Sequence, residues 1–176
     1  MKYLRRLVWY IASKLFVIVL VLGLFTISFY FSMNMSNIYI ILKDGMALRA
    51  QTVLMEEDPS RLDSYFSSTY LSRDPVLNTL KNDTNPYVRY DITGIDHRLK
   101  MEWMWSWPWE DTARATVVES IPRIDGRIRS SYKATTPQDQ WPVPKWQSGR
   151  YDIVLTREGG RWRIRNMTLT EALPQQ

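Results

Sequence analysis

A long run of apolar residues marks the N-terminal part of the chain. Residues 15–42 contain no charged side chain, and residues 15–31 are almost wholly apolar. A helix of about 20 such residues spans the hydrocarbon core of a bilayer, so we predict a transmembrane helix near residues 8–32. Aromatic side chains, which favour the membrane interface, lie near its two ends: Trp9, Tyr10, Phe29 and Tyr30.

The same segment also predicts the topology. The apolar run is too long for the core of a cleavable signal peptide, and no small-residue cleavage site follows it, so we expect an uncleaved signal anchor. Its basic residues all lie at the N-terminal side: Lys2, Arg5, Arg6 and Lys14. By the positive-inside rule the N-terminus is cytoplasmic. We therefore expect a single-pass protein of the cell membrane, with tail and anchor over residues 1–37 and an extracytoplasmic domain over residues 38–176.

Helical periodicity continues beyond the anchor. One apolar stripe is spaced as on a helix face: Leu42, Met46, Ala50, Val53 and Leu54. This helix is predicted to continue from the span, although Gly45 weakens a helix interior. Two Asp-Pro pairs, at Asp58 and Asp74, then each predict the start of a short helix, with aspartate as N-cap and proline in the first turn.

After Pro86 the period of the apolar positions changes to two, which indicates strands. Residues 87–107 predict one long strand, or two joined by a bulge at Gly94. A second strand covers residues 112–121, Asp125 and Gly126 suit a turn, and residues 135–146 form a loop. The clearest hairpin is the last one, with a two-residue turn at Gly159 and Gly160 and one apolar face: Tyr151, Ile153, Leu155, Trp162 and Ile164. Helices followed by hairpins predict an α+β domain with helices packed on an antiparallel sheet.

This order of parts resembles the nuclear transport factor 2-like superfamily. Three segments over residues 38–172 carry the resemblance: "DPSRLDSYFSSTYLSRDP", "KMEWMWSWPWEDTARATVV" and "YDIVLTREGGRWRIRNMTL". The resemblance implies a cone-shaped domain in which helices close over a strongly curved sheet. It does not decide the function, because members of the superfamily include enzymes and pure scaffolds. In its architecture, the anchored domain is similar to the inner-membrane scaffold proteins of type IV secretion and conjugation machines.

Four tryptophans at alternate positions form the most conspicuous motif: Trp103, Trp105, Trp107 and Trp109. Alternate residues of a strand share a face, and large indoles are mostly buried in proteins. We therefore expect these four side chains to fill the core. Three alternatives stay open: a ligand-binding platform for sugars such as cell-wall glycans, a membrane-interface belt around Trp107 and Trp109, and a split role in which Trp103 and Trp105 are buried while Trp107 and Trp109 are exposed at the turn.

Ionisable groups provide few catalytic candidates. His97, the only histidine, and Asp91 are the candidates for an acid–base role; a solvated or structural histidine is the favoured interpretation. With no cysteine and one histidine, no metal site is expected, and no cofactor-binding motif is present. Alternation places Arg161, Arg163 and Arg165 on one face, which Arg150 is expected to extend. A solvated sheet face is the favoured interpretation, and contact with an acidic partner, anionic headgroups or wall polymers is the alternative.

Charge distribution argues against nucleic-acid binding. The formal net charge is +5, but residues 1–42 alone carry +4, and the remaining residues hold 19 basic against 18 acidic side chains. We therefore expect a non-enzymatic interaction or assembly module of a cell-envelope complex, of the secretion, conjugation or sporulation type. Its expected partners are the membrane, other envelope proteins and a second copy of itself. The alternatives are a small-ligand binder, an isomerase- or dehydratase-like enzyme using the aromatic-lined cone, and a glycan binder.

Overall fold

A computed structural model describes residues 2–82 and 84–174. Its first element, α1, is one continuous helix over Lys2–Met55. This helix is long and apolar enough to cross a membrane, and none of its most apolar stretch is buried against the rest of the protein. Its C-terminal part belongs to the core, where the predicted stripe is buried throughout: Leu42, Met46, Ala50, Val53 and Leu54. The prediction that the core helix continues from the span is therefore confirmed.

Short helices follow, and their starts confirm the Asp-Pro predictions. A 3₁₀ helix covers Pro59–Ser64, and the side chain of Asp58 accepts a hydrogen bond from the Ser60 amide. Helix α2 covers Ser68–Leu71 and α3 covers Pro75–Lys81, where Asp74 accepts from the Val76 amide. The remaining short elements are a 3₁₀ helix at Pro86–Arg89, α4 at Ser130–Lys133 and a 3₁₀ helix at Gln138–Gln140.

Within residues 2–82 and 84–174, six strands form two antiparallel sheets. They are β1 (Tyr90–Ile95), β2 (Arg98–Trp105), β3 (Thr112–Ser120), β4 (Ile124–Ile128), β5 (Gly149–Glu158) and β6 (Arg161–Ala172). The strand order is β1-β4 in one sheet and β2-β3-β5-β6 in the other. Antiparallel sheets packed with helices confirm the α+β class.

Two strand predictions need correction. The long predicted strand ends at Ile95 and resumes at Arg98, so its halves lie in different sheets. Asp125 and Gly126 lie inside β4, paired with β1, instead of forming a turn. The irregularity predicted near Gly94 is present, since the β1–β4 register shifts between Ile92 and Gly94.

The core lies between α1 and the inner face of the four-stranded sheet. Val117, Ile153, Leu155 and Ile164 from the sheet are at most 1% exposed. The terminal hairpin is confirmed, and its turn glycines, Gly159 and Gly160, have φ of 58° and 80°, a region that favours glycine.

Gly45 has a packing role in α1. A β-carbon at this position would lie 2.9 Å from the β-carbon of Tyr65. The glycine therefore allows the 3₁₀ segment and the residues after it to approach the helix backbone closely.

Candidate membrane-facing surface

The four tryptophans are exposed, which corrects the expectation that they fill the core. Their exposed fractions are 51% for Trp103, 42% for Trp105, 38% for Trp107 and 68% for Trp109. For Trp103 and Trp105 the cause is a register shift in β2 between Met101 and Trp103, whereas Trp107 and Trp109 follow the end of β2 in the β2–β3 turn.

This shift reverses which residues of β2 face the core. Before it, Met101 pairs with buried Val117; after it, Met104 pairs with buried Ala115. Trp103 pairs with Thr116, which alternates with these buried residues and therefore lies on the outer face. An unbroken alternation would have placed the indole opposite a core residue.

Three of the indoles form a continuous aromatic cluster with the anchor helix. The ring of Trp105 lies 5.7 Å from the ring of Phe31 and 5.1 Å from Trp107, both in edge-to-face geometry. Trp107 stacks on Trp109 at 5.0 Å with an interplanar angle of 18°. We call Phe31, Trp105, Trp107 and Trp109 the aromatic cluster. It connects the β2–β3 turn directly to the end of the predicted span.

A second contact places another hairpin turn at the same end of the domain. The Arg157 amide donates to the Asp111 carbonyl, which joins the end of β5 to the β2–β3 turn. The Arg157 guanidinium donates to the Asn34 side chain at 3.0 Å, and Asn34 is buried in α1. Residues near the tips of both hairpins therefore contact α1 where it leaves the predicted span.

Part of the predicted arginine face lies at this same end of the domain. Arg161 and Arg165 are exposed, whereas Arg163 is half-buried and lies 3.4 Å from Glu158 in an ion pair. Arg165 falls at a register shift of β6, so the alternation is interrupted there. Arg150 does not extend the face, because it lies toward the opposite end of β5.

Arg150 instead completes a local ion-pair network. It contacts Glu171 and lies 2.8 Å from Glu102. Both carboxylates are partly exposed, so these ion pairs contribute little to stability.

The two acid–base candidates lie apart and have different partners. His97 Nε2 lies 3.0 Å from Glu119 Oε1, and both side chains are buried, at 7% and 0% exposure. Glu119 also accepts a hydrogen bond from Trp146 Nε1 at 3.5 Å. Asp91 is exposed on β1, 3.8 Å from Arg127, and lines an open depression whose other ionisable side chains are basic.

A buried ion pair lies beside the His97–Glu119 hydrogen bond. Arg49 on α1 donates to both carboxylate oxygens of Asp74, at 2.6 and 3.0 Å. Burial opposes the charged form of Asp74, but hydrogen bonds from Arg49 and the Val76 amide hold its pKa below the usual value. Burial raises the pKa of the nearby Tyr151 to about 12, so this tyrosine stays neutral at physiological pH.

A cavity lies beside Arg49 of this buried ion pair. It has a volume of about 280 Å³, and its walls include Arg49, Tyr87, Trp146 and Tyr151. Within the described residues, Arg49 Nη1 has no hydrogen-bond partner. Neither His97 nor Asp91 lines this cavity.

Sequence reasoning did not identify three participants in these arrangements: Phe31, Arg49 and Glu119. Their partners lie far away in the chain, so no local pattern identifies them. Over residues 2–82 and 84–174, no group of three histidine, cysteine or acidic side chains is arranged to hold a metal ion. No protein-family model matches the chain, and no curated protein shows detectable sequence similarity to it.

Proposed function

We propose that the protein is a single-pass, membrane-anchored interaction or assembly module of a cell-envelope complex, without catalytic activity of its own. In this proposal the N-terminus is cytoplasmic, and the domain is extracytoplasmic and cone-shaped as in the nuclear transport factor 2-like superfamily. The supporting observation is α1: one helix is both the apolar segment and a wall of the domain core.

A helix that continues into the core leaves no flexible linker between anchor and domain. Asn34, Ile38 and Leu42 are already buried against the domain, at most twelve residues beyond the apolar stretch that ends near residue 31. The domain therefore stays at the membrane surface in one orientation. Anchoring also raises its effective concentration toward other membrane proteins, so that weak contacts suffice for assembly.

The buried ionisable groups support a structural role better than a catalytic one. Arg49 is bound to Asp74, and His97 is bound to Glu119, at hydrogen-bond distances and with little solvent exposure. Asp91, the other candidate, lies on the surface beside basic side chains. A general acid or base must reach the substrate, and neither predicted candidate lines the cavity beside Arg49.

Crosslinking in native membranes tests the assembly proposal. A photoreactive residue replaces Arg165, which is exposed on β6, and replaces Ser131 at the far end of the domain as the matched control. We expect discrete crosslinked products with other envelope proteins or with a second copy, and protease added outside the cell should digest the domain. Only monomeric protein at every labelled position, or a domain protected from external protease, would contradict the proposal.

A small-ligand binder is the second candidate, and the cavity beside Arg49 favours it. A buried guanidinium nitrogen without a partner suits a carboxylate, and the aromatic walls suit an apolar body. Aromatic carboxylates at millimolar concentration should then raise the melting temperature of the full-length protein, and Tyr87→Ala should abolish the shift. No shift with any such compound would remove this candidate.

A further inference from the structure

We propose that the aromatic cluster lies in the headgroup region of the bilayer that α1 spans, so that this end of the sheet is a lipid-contact surface. The inference rests on the proposed anchor and adds a second attachment to it. Its occupant is the lipid interface on the extracytoplasmic side.

The height follows from helix geometry. The hydrocarbon core is about 30 Å thick, which corresponds to about 20 residues at 1.5 Å each. If Trp9 and Tyr10 mark the cytoplasmic interface, the apolar core ends near residue 30. Phe31 then lies about 2 Å above it, within a headgroup region that is about 5–8 Å thick on each side. The ring of Trp105 lies 5.7 Å from Phe31, so the cluster is held at this depth.

The exposed chemistry of the cluster matches this environment. Indoles place an apolar body in the acyl boundary while the N–H stays hydrated, which is why tryptophan concentrates at membrane interfaces. Trp109, the outermost ring, is 68% exposed, and in water it would form part of an apolar patch that soluble surfaces avoid. Arg161 is exposed on the neighbouring hairpin turn, where it can meet lipid phosphates.

The position of the cluster also favours lipid over a soluble protein or a wall polymer as the partner of this surface. Phe31 of α1 is part of the cluster and packs against Trp105. The β5–β6 turn is held to Asn34 of the same helix through Arg157. A domain that is rigidly joined to its span cannot move this end away from the bilayer. A soluble partner or a wall polymer would have to enter the headgroup layer to reach it.

Single-site spin labelling tests the depth, and the absence of cysteine in the chain makes each label unique. Cysteine replaces Glu110, which is exposed beside Trp109, and Ser131, which lies on α4. Because Arg129, next to α4, contacts Glu56 at the C-terminal end of α1, Ser131 marks the end of the domain farthest from the membrane. A third label at Gly23, where a side chain meets no neighbour within 4 Å, reports the span.

Full-length protein is reconstituted in vesicles of phosphatidylethanolamine and phosphatidylglycerol, and each label is relaxed by oxygen and by a water-soluble nickel complex. We expect the Glu110→Cys label to show interfacial depth, the Gly23→Cys label to show the bilayer interior and the Ser131→Cys label to be aqueous. An aqueous Glu110→Cys label with a membrane-embedded Gly23→Cys label overturns this inference alone. An aqueous Gly23→Cys label overturns the anchor itself.

Other outcomes assign the surface to another partner. A Glu110→Cys label shielded from both relaxing agents indicates a protein interface. A label that is aqueous in vesicles and becomes shielded on addition of cell-wall fragments indicates a glycan site. Either result overturns the lipid assignment.

A variant pair tests the indoles themselves in the Glu110→Cys background. Trp107→Ala with Trp109→Ala should shift the label toward the aqueous value, because the two stacked rings are removed. Trp103→Ala is the control, since Trp103 lies on β2 outside the aromatic cluster and its exposure of 51% falls between the 38% of Trp107 and the 68% of Trp109. Equal depths in both variants would refute a role of the cluster in holding this end of the sheet at the membrane.

Discussion

Replacement of Asp74 by asparagine removes one charge of a buried ion pair and leaves the other in place. Arg49 is 3% exposed and Asp74 is 1% exposed, so water cannot replace the lost carboxylate without local opening. Breaking a buried pair from one side destabilises a protein by about 3–5 kcal/mol. The N-cap of α3 is retained, because asparagine caps as well as aspartate. We therefore expect Asp74→Asn to lower the free energy of unfolding by about 3–5 kcal/mol.

A matched control separates the ion pair from the cap. Asp58 and Asp74 both cap a helix that starts with proline, but only Asp74 holds an arginine. Asp74→Ala removes both the ion pair and the N-cap, so it should lower the free energy of unfolding by about 1 kcal/mol more than Asp74→Asn. Asp58→Ala removes only an N-cap. Arg49→Met combined with Asp74→Asn should recover most of the loss, because no unpaired charge then remains in the core.

The assay is thermal unfolding of the full-length protein in mild detergent, followed by tryptophan emission. Trp146 and Trp162 are buried and report on the core. At about 3 °C per kcal/mol for a domain of this size, Asp74→Asn should lower the melting temperature by about 9–15 °C. A loss of less than about 1 kcal/mol, or a double variant as unstable as the sum of the singles, would refute the buried-pair reasoning.

Two further predictions concern pH and the close approach at α1. The folded pKa of Asp74 lies below its usual value, so its contribution to stability is complete above the unfolded pKa of about 3.9 and is lost as pH falls through the folded pKa. The stability difference between wild type and Asp74→Asn should therefore shrink below about pH 4 in urea titrations; a constant difference would contradict it. Gly45→Ala should lower the melting temperature despite a helix-propensity gain of about 1 kcal/mol, because its β-carbon meets another at 2.9 Å. Gly23→Ala, in open space, is the control, and equal effects would refute the packing argument.

Local sequence patterns correctly predicted the elements whose contacts are between residues close together in the sequence. The apolar run, the stripe on α1 and the two Asp-Pro helix starts depend on spacing within one or two turns. The last hairpin depends on a two-residue turn with φ values in the region that favours glycine and on alternation of its apolar face. Each of these signals is contained in the segment that it describes.

The orientation of the tryptophans could not be predicted from local patterns. Alternation along β2 is correct up to Met101, and the error enters at one register shift before Trp103. A bulge depends on the partner strand, and β3 begins seven residues after β2 ends. The same limit applies to His97, whose carboxylate partner is Glu119, 22 residues away, and not a neighbouring acid.

Because α1 is continuous, the apolar segment and the domain have a fixed rotation relative to each other. Phe31, Asn34, Ile38 and Leu42 follow one another at spacings of three or four, so a single helix face carries the contacts from the aromatic cluster into the core. Because each residue of a helix turns the chain by about 100°, the rotation of the span fixes which side of the domain faces each direction in the membrane plane. In the proposed arrangement, the β2–β3 and β5–β6 turns are both held toward the bilayer, while the outer face of the sheet and its charged side chains stay accessible beside the anchor.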